Sequence, residues 1–130
     1  MNSRALCVVI LFALLAPASV LAGEVIVNDS VTLTAEEIRD VFLGEKQLAG
    51  NTRLVPVDNA LLQEEFLAKV LQTDSQKYYA RWTRKSFREG IAAPALKGSD
   101  AEVIAFVRST RGAIGYVRNS APGVRALQRF

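Results

Sequence analysis

Few residues in this chain have the side chains for chemistry, and the types that are missing narrow the choices further. The 130 residues include no histidine and one cysteine, Cys7, which lies in an apolar N-terminal run. General acid–base work near neutral pH, Cys or Ser–His nucleophiles and ordinary zinc sites all depend on those side chains. Carboxylates remain, as the adjacent pairs Glu36–Glu37 and Glu64–Glu65. Neighbours on a helix point about 100° apart and cannot share one proton or metal. Both pairs read as solvated charges that favour the dipole of a first helical turn. The residues assign no catalytic role, no metal and no cofactor.

The basic residues offer binding chemistry instead. Lys77, Arg81, Arg84 and Arg88 are spaced i, i+4, i+7 and i+11, which sets four positive charges along one stripe of a helix, with Lys85 beside them. Such a stripe can dock a partner's anionic surface. It can equally be a solvated face whose long stems cover Tyr78 and Trp82. Tyr78, Tyr79, Trp82 and Phe87 read as core packing rather than a stacking platform, since no glycine-rich or repeated aromatic motif accompanies them. Gly112 and Gly115 would either bring the backbone close to a ligand or end a helix and relieve a crowded strand.

Helices and strands must hold these residues in place, and local signals mark most of them. Glu24–Asn28 is a β-branched opening strand closed by Asn-Asp-Ser. Thr34 and Glu37 have capping-box spacing, ahead of Ile38, Val41 and Phe42 at helical intervals and a stop at Gly44. Arg53–Val57 is a second strand, with Pro56 suggesting an edge or an end, and Asp58-Asn59 would cap a helix from Ala60 to Leu71. Thr73-Asp74-Ser75 opens a helix over Gln76–Glu89, ended by Gly90. Ala92–Gly98 reads as a loop. Ser99 and Glu102 make a second capping box before Val103, Phe106 and Val107, with Gly112 as the stop. Ala113–Val117 is a buried strand, and the chain from Val124 adds a last short strand or a loose tail. Strands separated by helices predict an α/β fold with some parallel pairing.

The N-terminus carries an address. Arg4, an apolar run from Ala5 to Leu15 and small residues toward Val20-Leu21-Ala22 are the three parts of a cleavable secretory leader, with the cut before Gly23. The apolar run is shorter than the roughly 20 residues of a spanning helix, and Pro17 interrupts it. The expectation is a leader over residues 1–22 and one domain over 23–130, periplasmic or secreted, with no membrane span once the leader is gone. Removing Arg4 leaves fifteen basic against thirteen acidic residues, about +2, which is no nucleic-acid-binding balance. The mature domain would hold no cysteine, so it must stand on its core alone.

Three segments in order resemble the phosphate-type periplasmic substrate-binding proteins of ABC transporters. They are Val31-Thr32-Leu33-Thr34 with Glu37 to Gly44, then Leu54-Val55-Pro56-Val57-Asp58 ahead of Phe66, and Thr110-Arg111-Gly112-Ala113-Ile114-Gly115-Tyr116-Val117. The resemblance implies a single lobe like a type II periplasmic-binding-protein domain, a small mixed sheet flanked by helices. It also implies a ligand of the phosphate or small-oxyanion class, held at a helix N-terminus by Asp58, Asn59 and Ala60 with help from Arg53 or Arg111. The family's anion loop resembles Arg-x-Asp-Gly-Ser-Gly-Thr, and across Pro56 to Leu62 only Asp58 agrees. A second lobe is largely missing. The alternative is a non-catalytic interaction or regulatory module that has lost its ligand and meets an envelope protein or transporter component, using the stripe of Lys77, Arg81, Arg84 and Arg88.

Overall fold

The computed structural model describes residues 21–130, so the expected leader, apart from Leu21 and Ala22, lies outside the described residues. The elements in chain order are β1 (Glu24–Val27), α1 (Ala35–Phe42), β2 (Leu48–Ala49), β3 (Thr52–Arg53), β4 (Val55–Asn59), α2 (Gln63–Phe66, continued by a π-helical stretch over Leu67–Leu71), α3 (Ser75–Glu89), β5 (Ala95–Lys97), α4 (Asp100–Ser109), β6 (Ala113–Val117) and β7 (Arg125–Arg129). Five strands form one mixed sheet in the order β5-β4-β6-β1-β7, while β2 and β3 make a separate hairpin. β4 runs parallel to β5 and β6, and β1 runs antiparallel to β6 and β7. The sheet is therefore the small mixed one expected, flanked by helices.

Alternation along the strands sorts the core into two layers. On one face Val25, Val27, Ile114 and Tyr116 pack with Phe42, Phe66, Tyr78 and Trp82 from α1, α2 and α3. On the other, Ile26, Val57, Ala113 and Val117 pack under Val103 and Val107 of α4. All five residues of β6 are buried, as befits a central strand covered on both sides.

The local signals were realised unevenly. Thr34 and Glu37 form the full capping box. At α4, Ser99 accepts from the Glu102 N–H, but the Glu102 carboxylate turns to the Gly98 N–H instead. The stretch from Val124 is a real strand, β7, and residues expected as a loop contain β5. Pro56 sits at the start of a central strand, so of the two positions expected it takes the end and not the edge. It is tolerated because the Val55 N–H bonds toward β6, which turns the position of the missing Pro56 N–H toward β5, where pairing starts only at Val57.

The two glycines of the last family-like segment serve packing. A Cβ on Gly115 would come within 2.7 Å of Val103, so α4 seats on β6 only because none is there. Gly112 has φ +79°, and a Cβ there would lie 2.0 Å from the Arg53 carbonyl oxygen. Gly112→Ala should therefore cost more than about 2 kcal/mol in a denaturant melt, since both backbone strain and a clash with immovable backbone act. Gly50→Ala, at φ +59° with open space around it, should lose only about 1 kcal/mol. Equal losses would show that the close approach of residue 112 to β3 contributes nothing.

Candidate functional site

Ligands of open α/β sheets sit beyond the carboxyl ends of the parallel strands. Here those ends are Asn59 of β4, Lys97 of β5 and Val117 of β6. Asp58 and Asn59 do not cap a helix. They belong to β4, and α2 begins only at Gln63, with no side-chain cap from Leu62. The three intervening residues make a turn whose donors are all taken within the chain. Ala60 N–H bonds to the Lys97 carbonyl, Leu61 N–H to Asn59 Oδ1 and Leu62 N–H to the Asn59 carbonyl.

The side chains are equally engaged. Asn59 donates from Nδ2 to Asp100 Oδ1 at 2.8 Å and to the Tyr116 carbonyl at 3.0 Å. The other oxygen of Asp100 accepts from the Arg118 N–H at 3.1 Å. A carboxylate of the chain itself thus occupies the first turn of α4 and ties the ends of β4 and β6 together. Its negative charge there is favoured by the helix dipole.

Asp58 faces the opposite side of the sheet, only 1% exposed. Tyr78 of α3 donates to its Oδ2 at 2.7 Å, and Tyr116 of β6 donates to its Oδ1 at 2.8 Å. Desolvation pushes the Asp58 carboxyl up to about 6, although the Tyr78, Tyr116 and Gln63 side chains pull the other way. Burial, and then the Asp58 charge, push both tyrosine hydroxyls up as well.

Arg53 and Arg111 lie at the other end of the sheet. Val55 pairs with Ala113, so residues 53 and 111 flank the start of β4 and β6. Five residues of extended chain, roughly 16 Å, separate Arg53 from Asp58. Arg53 borders an apolar groove of about 250 Å³ between the start of β4 and residues 91–95, and Arg111 reaches Thr52 Oγ1 at 3.5 Å. The five expected site residues are thus not brought together.

The basic stripe is divided too. Arg81 donates to the Leu43 carbonyl and pairs with Glu45, and Trp82 donates to the Phe42 carbonyl at 3.0 Å. Lys85 folds over Gly44 and pairs with Glu45 and Glu89. These contacts seat α3 on the C-terminal end of α1, where cations and donors satisfy the last carbonyls. Lys77 pairs with Asp74, while Arg84 and Arg88 are exposed. Tyr78 and Trp82 are core residues, as expected, but Tyr79 and Phe87 are exposed. Sequence reasoning missed the pairing of Tyr78 and Tyr116 with Asp58, and the place of Asp100. A tyrosine on an apolar stripe was the one available signal, since its hydroxyl needs a partner when buried.

The mixed sheet, with helices on both faces and two parallel crossovers, has a fold like that of one lobe of a periplasmic binding protein. Among solved structures, the chain is similar to the crystal structure of an ABC-type phosphate transport receptor from Vibrio cholerae, with a TM-score of 0.53 and 15% sequence identity. The match covers 83% of this chain and 46% of that one, so the chain spans about half the receptor's length. At this identity the likeness is one of fold. No family model and no curated protein matches the chain.

The buried carboxyl gives a signed pH dependence. Its raised value means that the fold favours the protonated form. The cost is absent below about pH 4 and fully present above about pH 6, where it reaches about 3 kcal/mol. Asp58→Asn should thus stabilise the protein at pH 7.5 and not at pH 4, read from denaturant midpoints across that range. Asp58→Ala should lose about 2–4 kcal/mol at pH 4, where two buried hydroxyls lose their acceptor, and about 3 kcal/mol less at pH 7.5, where the variant is also relieved of the buried charge. A wild-type-minus-Asn difference that stays flat with pH would refute the assignment.

Proposed function

We propose that this chain is a non-catalytic, extracytoplasmic module that keeps the fold of one receptor lobe and works by binding a partner rather than an oxyanion. One observation carries the reading. The N–H groups of Ala60, Leu61 and Leu62 and the Asn59 amide, which would meet an anion at the strand ends, are all bonded within the chain. Asp100 stands among them, and Glu64 and Glu65 add charge in the first turn of α2. An incoming phosphate would have to break these bonds and face carboxylates. The absence of histidine from the sequence supports the non-catalytic part, and the leader expected over residues 1–22 supports the compartment. No helix among the described residues is long and apolar enough to cross a membrane.

The oxyanion reading keeps one observation in its favour. Arg53 and Arg111 are exposed at neighbouring strand starts in a lobe whose fold is like that of a phosphate receptor. Calorimetric titration of the processed protein with phosphate and sulfate separates the two. The partner-binding reading expects no heat at millimolar anion. Saturable heat that disappears in Arg53→Ala or Arg111→Ala would replace it with the oxyanion reading.

A further inference from the structure

Resting on the partner-binding reading, the outer face of α3 narrows what the partner must look like. Tyr78 and Trp82 turn inward, and the opposite face presents Phe87, 92% exposed, while Tyr79 on the flank donates its hydroxyl to Gln63. A phenylalanine wholly in water is tolerated by a fold but adds nothing to it. Of the five cations on α3, Lys77, Arg81 and Lys85 are neutralised by Asp74, Glu45 and Glu89. Arg84 and Arg88 have no ion pair among the described residues, and both are exposed. They stand one helical turn apart, about 6 Å between Cβ atoms, on either side of Phe87 in sequence.

We infer that the outer face of α3 binds an acidic segment of a partner protein, in which two carboxylates one helical turn apart meet Arg84 and Arg88 and an apolar side chain covers Phe87. Charge complementarity selects this occupant, because the unneutralised charge on α3 is confined to these two guanidiniums. Arginine and aromatic side chains are also the residues that anchor protein interfaces. An anionic bilayer fits less well. One phenylalanine beside Arg84 and Arg88 is too little apolar surface to insert. A second copy of this chain would bring Arg84 and Arg88 against themselves across a two-fold axis.

The test is photo-crosslinking in the native cells. The full chain is produced with benzoylphenylalanine in place of Phe87, and a matched chain carries the probe at Leu96, which is 53% exposed on β5. The expected result is a protein adduct from position 87 whose mapped peptide contains paired acidic residues beside an apolar one. Its yield should fall about tenfold in Arg84→Glu/Arg88→Glu, the loss expected for about 1.4 kcal/mol of binding. Both positions are exposed, so an unchanged melting temperature certifies that the double variant is folded. An adduct indifferent to charge reversal, an adduct to lipid or to a second copy, or no adduct at position 87 would overturn the inference. A protein adduct at position 96 alone would overturn it while leaving the partner-binding reading intact, and anion-dependent heat in the titration would overturn that reading instead.

Discussion

The carboxylate of Asp58, enclosed between the hydroxyls of Tyr78 and Tyr116, is the interaction on which the rest of this structure depends. It joins α3, β4 and β6, three elements far apart in the chain. A buried charge without partners would cost several kcal/mol, so both tyrosines must stay where they are. Tyr116 in turn stacks on Phe66 at 3.9 Å, and Phe66 meets Phe42 and Phe130 edge-on. The position of one carboxyl therefore fixes the aromatic layer that covers this face of the sheet.

On the other face the same strand end meets Asn59 and Asp100. Together the two clusters fill the ends of β4 and β6, the region in which a receptor lobe would greet its ligand. The polar groups at these strand ends are thus spent on cohesion. α3 shows a related division of labour. Its inward cations and Trp82 close the end of α1, so only its outward side retains groups that no internal contact uses.

Much of the architecture was legible in sequence because it is written in local spacing. The box at Thr34 and Glu37, the stripe of Ile38, Val41 and Phe42, and the short apolar run of Ala113–Val117 are each decided by residues near one another in the chain. The start of α2 was misread for the same reason. Asp58-Asn59 has the composition of a cap, and only the parallel neighbour β5 extends the strand through both residues and delays the helix to Gln63. β5 itself is too short to announce itself, and it exists because β4 offers it a ladder.

The sequence by itself determined an α/β chain without histidine, four helical segments with the caps of three of them, and the residue types able to meet an anion or a partner. Which of those residues meet one another was decided by the tertiary structure alone. Arg53 and Asp58 are five positions apart, and an extended strand carries them to opposite ends of the sheet. Asp58 and Tyr116 are 58 apart and share a hydrogen bond. Spacing along a chain sets faces and ends, whereas contact between distant segments follows from strand order and from the need to satisfy every buried polar group.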